Sequence, residues 1–345
     1  MGSTSNINTL RIFATILLVA YHVIGINHTG GMAVADSSGW RFAADLLVDL
    51  RMPLFAFIAG CVYALRPLEL AKTAAFMIGK VKRLVVPGVI AAAIFWVLGN
   101  TLVSGAFSSG ATLLSAITLS YGHFWFLQAV LILFLTVGVI DAALRYKAAV
   151  PLLVAACILY LVWDGLGIRP PSELELARAV YLSPGFLMGI VVVRHGDALV
   201  ERSALLVVAA AICLIVGLAL NLQTYWETGR LSTVRKDVQS LLVGGGSIIL
   251  LYIFTPRMPW FDKLAALAFT VYLYHPFGTA IARRLFNGLE VESDIVRFVF
   301  GVIIGFAAPV LVHVCAARSG VMRRLILGQR NQGRSADSMA VMARA

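Results

Sequence analysis

Two ionisable side chains, Arg11 and His22, stand inside one apolar stretch, residues 10–27. On insertion scales a charged group at membrane depth costs roughly 2.5–3.5 kcal/mol, so such residues usually face a bundle interior and often mark function. The two are eleven positions apart, which on a helix is about three turns and roughly 16 Å of rise, and both fall on nearly one face. A histidine so placed can act as general base toward a hydroxyl or carry a group covalently. The plain alternatives carry about equal weight: a core histidine bonded to a neighbouring helix, and an arginine that only anchors the helix end.

Other chemistry-bearing residues recur along the chain. Asp45 and Asp49 form an i,i+4 pair ahead of Arg51, and a carboxylate near His22 could orient its imidazole. Asp49 could equally pair with Arg51 or Arg178. Lys80 and Arg83 are i,i+3 neighbours able to address one phosphate-bearing ligand, although basic clusters before a span mostly anchor it. His123 and Trp125 end the connection before the fourth apolar run, where an aromatic belt alone would also explain the tryptophan. Tyr272 and His275 share a face of a later run, and Pro276 frees a backbone carbonyl one turn back. Gly244, Gly245 and Gly246 permit close backbone approach, which usually means helix packing.

These residues need long apolar elements to hold them, and the composition supplies those. The chain of 345 residues is 60% hydrophobic and 13% charged, with mean hydropathy +0.89, far from the balance of a soluble domain. Ten apolar runs are expected to cross a bilayer, at 10–27, 43–65, 84–103, 123–141, 148–163, 177–193, 203–220, 238–254, 264–283 and 295–316. The expected fold is therefore all-α, a polytopic transmembrane helix bundle over residues 1–327, with a disordered polar tail at 328–345. The first run also has signal-peptide character, since Ala33-Val34-Ala35 follows it like a cleavage site, but nine further spans would insert the chain in any case.

The formal net charge of +11 would suggest nucleic acid in a soluble protein. Here the basic residues fall between the runs, so no nucleic-acid partner is expected. Lys and Arg are concentrated in one alternate set of connections, which places both termini in the cytoplasm. Cys61, Cys157, Cys213 and Cys315 lie singly in apolar runs, without the spacing of a zinc site or a disulfide framework, and no metal is expected. No internal repeat is visible.

Four segments, in order, resemble acyltransferase family 3, the multi-helix membrane acyltransferases that decorate bacterial surface carbohydrates. They are Asn8-Thr9-Leu10-Arg11 through His22; Met52-Pro53-Leu54-Phe55 running to Gly60; His123-Phe124-Trp125-Phe126-Leu127; and Thr270-Val271-Tyr272-Leu273-Tyr274-His275-Pro276. One departure is Lys80, where the family often has the first arginine of a pair spaced like Lys80 and Arg83. The resemblance implies an O-acyltransferase of the bacterial inner membrane. Its co-substrate would be acyl-CoA, most simply acetyl-CoA, with no permanently bound cofactor. Its acceptor would be a carbohydrate hydroxyl, and the polysaccharide biosynthesis machinery a partner. On that reading Lys80, Arg83 and Arg11 bind the donor's phosphates, and His22 is general base or acyl carrier. Asp45 or Asp49 holds the His22 tautomer, Tyr272 or His275 donates to the oxyanion, and His123 and Trp125 meet the acceptor. The rival reading is a transporter or flippase for a lipid-linked glycan or small polar solute, which would use the same buried charges as a path; a structural subunit guiding a polysaccharide synthase is a third.

Overall fold

The computed structural model describes residues 4–102, 112–119, 121–171, 174–196, 199 and 203–329, and the expected tail lies outside them from residue 330 onward. Among the described residues there are helices and connections and no strands. In chain order they are α1 (Thr4–Ile24), α2 (Gly39–Leu46), α3 (Val48–Leu65), α4 (Thr73–Lys80), α5 (Val86–Leu102), α6 (Leu113–Thr118) and α7 (Trp125–Ala143). They continue with α8 (Ala149–Val162), α9 (Leu176–Arg194), α10 (Ser203–Thr228), α11 (Val238–Phe254) and α12 (Pro259–Ala265). The last three are α13 (Ala268–Gly288), α14 (Asp294–Ala317) and α15 (Gly320–Leu327).

Each of the ten expected runs coincides with a helix, but length separates them. Among the described residues seven stretches are long and apolar enough to cross a membrane, and α12 with α13, bent by 67° at their junction, makes an eighth if the pair is one span. α8 and α11 have 14 and 17 residues. At 1.5 Å per residue they rise about 21 and 26 Å, short of a hydrocarbon core near 30 Å. The third crossing starts earlier than its apolar run: α4, a π turn at Val81–Val85 and α5 make one continuous helical path. Lys80, Lys82 and Arg83 therefore sit within helix, not in a connecting loop.

Polar residues set the helix ends. Ser38, Ser293 and Ser319 side chains accept from the third amide of the helices they precede, and Asp237 and Ser240 close a capping box on α11. α15 ends on Gly328 at φ +61°, packed against the Arg83 carbonyl. Prolines stand inside α3, α9, α13 and α14. Membrane helices tolerate them where neighbours satisfy the freed backbone groups.

Two thirds of the apolar window is buried in α2–α3 and in α9, against 11% in α10 and 17% in α14, so the first pair forms the centre and the second the lipid-facing rim. α3 and α9 touch backbone to backbone. A Cβ at Gly60 would collide with the Phe186 carbonyl, one at Gly189 with the Phe57 carbonyl, and one at Gly185 would come within 2.7 Å of the Pro53 oxygen. Membrane helices lack a hydrophobic drive to associate, and close approach over small residues takes its place. Gly244 and Gly246 play the expected packing part: a Cβ on the first would come within 2.8 Å of the Asp49 carbonyl oxygen, and one on the second within 2.6 Å of the Ala210 carbonyl oxygen.

A larger residue in this seam should cost more than the propensity it gains. Replacing glycine in a helix contributes up to about 1 kcal/mol of propensity, whereas overpacking typically costs about 1–3 kcal/mol and a backbone oxygen cannot swing aside. Gly60→Leu and Gly189→Val are each expected to lower the Tm of the detergent-solubilised protein, measured by tryptophan fluorescence. Gly79→Ala, which meets nothing within 4 Å, is expected to leave it in place.

Candidate active site

His22 lies in the last turn of α1, and the chain just beyond it is tied back. Gly25 at φ +104° donates its amide to the Tyr21 carbonyl at 2.8 Å, and Met32 returns to the Val23 carbonyl at 2.9 Å. Arg41 donates to the Gly25 carbonyl at 2.6 Å, and Arg297 to the Met32 carbonyl at 3.2 Å. Guanidinium groups at a helix C-terminus satisfy its orphan carbonyls and complement its dipole. The position of His22 is thus fixed from beyond the helix end.

Two more histidines meet it. The His22 ring lies 4.8 Å from His275 and 6.4 Å from His123, and His123 lies 5.3 Å from His275, all between ring centroids. His275 is wholly buried in the middle of α13. Pro276 has no amide hydrogen for the Tyr272 carbonyl, and His275 Nδ1 takes that carbonyl at 2.9 Å together with Val271's at 3.0 Å. Carbonyls only accept, so Nδ1 carries the hydrogen and Nε2 is left as an acceptor. That Nε2 is buried and has no hydrogen-bond partner among the described residues. His123 sits on the 3-10 turn Gly122–Phe124 before α7. Its Nε2 donates to the Leu273 carbonyl at 3.2 Å, while Tyr272 Oη donates to the His123 carbonyl at 2.7 Å. No hydrogen bond reaches the His22 ring among the described residues, which leaves both of its nitrogens open.

The aspartates are not brought to this cluster. Leu47, at φ −97° and ψ 5°, marks the junction of α2 and α3 between Asp45 and Asp49. Asp45 is half-buried within reach of Arg41 and Arg230. Asp49, 2% exposed, faces Asn221. The alternative pairing fails too: Arg178 binds Glu175 at 2.7 Å, and Arg51 lies over the Tyr21 ring at 3.4 Å. Tyr272 has its hydroxyl committed to His123 and His275 has no free N–H, so neither is poised to donate to an oxyanion in this arrangement. Trp125, at the start of α7, carries Arg178 at 4.8 Å over its ring.

At the other end of α1, Arg11 reaches Asn8 Oδ1 at 3.5 Å, and Asn8 donates to Asp262 of α12 at 2.9 Å. Lys80 is held on aromatic faces, 3.4 Å from the Phe134 centroid and 4.9 Å from Phe76. Arg83 is exposed and within electrostatic reach of Lys80. No hydrogen bond or ring contact joins Arg11 to either of them among the described residues.

Sequence reasoning passed over one group. Arg194 and Asp141 form a bidentate pair at 2.6 Å on both arms, and Tyr63 donates to Asp141 at 2.8 Å. The signal was an acidic residue near the end of one apolar run and a basic residue at the end of another, the same signal that singled out Arg11. Among the described residues no group of three or more His, Cys, Asp or Glu side chains is arranged to hold a metal ion.

The Tyr272 hydroxyl reads as a brace for the turn that carries His123. Tyr272→Phe removes one hydrogen bond, worth about 1 kcal/mol net, and keeps the ring packed against Phe126 and Phe55. A drop in unfolding free energy of about that size, read from an SDS titration, is the expected outcome.

No curated protein and no solved structure matches this chain significantly. A family model described as an acyltransferase domain matches residues 4–314, nearly the whole chain, and takes in α1, the π turn, the His123 turn and α13. With its long apolar helices and a histidine cluster inside them, the chain belongs to acyltransferase family 3 and is a multi-pass membrane acyltransferase.

Proposed function

We propose that the chain moves an acyl group, in the simplest case acetyl, from cytoplasmic acyl-CoA to a hydroxyl of a surface or exported carbohydrate. In this reading it crosses the bacterial inner membrane up to ten times, α8 and α11 included, with both termini inside. The observation that carries the reading is the His22 ring: its nitrogens are unengaged while the two histidines beside it are tied to backbone carbonyls.

In the proposed step His22 takes the proton of the acceptor hydroxyl as its oxygen attacks the thioester carbonyl carbon. The new C–O bond forms, the C–S bond breaks, and the departing thiolate recovers the proton from His22. His275 supports this better than the aspartates do. Its Nε2 is buried and unpartnered in a ring whose centroid is 4.8 Å from that of His22, and it suits accepting an N–H from His22, which would leave the other His22 nitrogen as the base. An acyl group carried for a moment on His22 would use the same nitrogen. Lys80, Arg83 and Arg11 would meet the donor's phosphates at the cytoplasmic end, Arg11 lying roughly 16 Å from His22 by helix rise.

His22→Ala is expected to abolish acetyl incorporation from radiolabelled acetyl-CoA while the protein still inserts and retains its Tm; incorporation at the wild-type rate would sink the role. Translocation without coenzyme A is the competing possibility, and acetyl-CoA binding separates the two. Wild-type protein is expected to bind acetyl-CoA in equilibrium dialysis, and Lys80→Ala with Arg83→Ala to lose about tenfold or more of that affinity, the worth of one or two charge-assisted contacts.

A further inference from the structure

A ladder of guanidinium and aromatic groups leads to His22 from the opposite side to Lys80. Arg235 lies 6.0 Å over the Trp125 ring and 5.2 Å over Tyr181. Tyr181 and Arg235 are both close enough to Arg51 to feel its charge. Arg51 lies over Tyr21, and the Tyr21 ring is 5.4 Å from His22. The ladder therefore ends at the proposed base.

Its two arginines differ from the cations around them. Arg178 is paired with Glu175, Arg230 with Asp36, and Lys236 with Asp164. Among the described residues no carboxylate lies within 4 Å of Arg51 or Arg235. Arg51 is 3% exposed and its Nε has no partner; the Tyr181 hydroxyl and Asp49 Oδ1 are likewise buried and unpartnered. Two carboxylates, Asp49 and Asp237, are near, but neither makes an ion pair with Arg51 or Arg235. Asp49, two positions before Arg51, turns to Asn221 and stays beyond ion-pair distance of Arg235, while Asp237 is engaged in capping α11. A cation–π contact offsets only part of the cost of desolvating a guanidinium. What the ladder lacks is an anion at ion-pair distance.

We infer that Arg51 and Arg235, with Tyr21, Tyr181 and Trp125, form an acceptor subsite for an anionic saccharide group, a sugar carboxylate or phosphate, held next to His22. The inference rests on the acyl-transfer reading only for calling the ligand an acceptor. A guanidinium fork matches either oxyanion bidentately, and Tyr181 Oη and Asp49 Oδ1 are free to meet the hydroxyls of the sugar.

The test uses the purified full chain and three probes at matched ionic strength: glucuronate, glucose 6-phosphate and glucose, with binding read as thermal stabilisation. At least one anionic sugar is expected to stabilise the protein at concentrations where glucose does not, and which one does so distinguishes a carboxylate source from a phosphate source. Arg51→Gln is expected to weaken that binding about tenfold or more, and Arg51→Lys less, because the charge remains without the fork. Arg235→Gln, at a half-buried position, carries the test by itself if Arg51→Gln does not fold. Three probes that behave alike on the wild type, or an anion preference that survives these Gln substitutions, overturn the subsite. Acetyl-CoA binding to the same preparation is measured separately: its absence alongside an intact anion preference would overturn acyl transfer and leave the subsite standing.

Discussion

A backbone carbonyl without its helical donor organises this molecule's polar interior. In hydrocarbon an unsatisfied carbonyl costs several kcal/mol, so the Tyr272 oxygen released by Pro276 has to find a proton from within the protein. His275 Nδ1 provides it and is fixed in one orientation and one tautomer by doing so. The next carbonyl, Leu273, takes the His123 ring, and the Tyr272 hydroxyl returns to the His123 backbone. One proline in α13 thereby sets the arrangement of two rings, and the third ring, His22, enters a cluster already formed.

Rigidity around that cluster comes from a different source. α3 and α9 meet at carbonyl-to-glycine contacts at Gly60, Gly185 and Gly189, and α13 meets α14 in the same way, where a Cβ at Gly278 would lie 2.6 Å from the Ile304 oxygen. α1 is held by α3 on one side and by α12, α13 and α14 on others. Its N-terminal end is tied to α12 through Asn8 and Asp262, and its C-terminal end by Arg41 and the returning loop. The helix that carries both Arg11 and His22 is thus pinned at each end, so their separation is a fixed length of the protein.

Much of this was legible in the sequence because membrane insertion makes long apolar runs and the rare charges within them conspicuous. The helices, the Arg11–His22 register, the effect of Pro276 and the packing use of Gly244 and Gly246 all follow from local spacing. What spacing could not give was the partner across the bundle. Asp45 and Asp49 read as carboxylates for His22, yet they face Arg41, Arg230 and Asn221, and the imidazole neighbouring His22 comes from more than 250 positions away, at His275. The Arg194–Asp141 pair was hidden in the same way: each residue alone resembles an ordinary helix-end charge, and only their meeting at 2.6 Å shows the buried pair. Lys80 and Arg83 read as i,i+3 neighbours in the connection just before a span, whereas α4 and the π turn carry one helical path through them into α5.

The same geometry bears on how a group could pass through the bundle. A translocating solute needs its site to open first to one side and then to the other, which requires helices that can part. The α3–α9 seam is closed by contacts between backbones, and α1 is tied at both ends. A path that stays put suits a substrate long enough to span it, with charge at one end and a reacting carbon at the other. On the proposed reading, Lys80 and Arg83 grip the charged end, the histidines receive the carbon, and the acceptor comes from the far side along Trp125, Tyr181 and Tyr21. The two substrates then meet at His22 without either crossing the bundle, and only the acyl group changes sides.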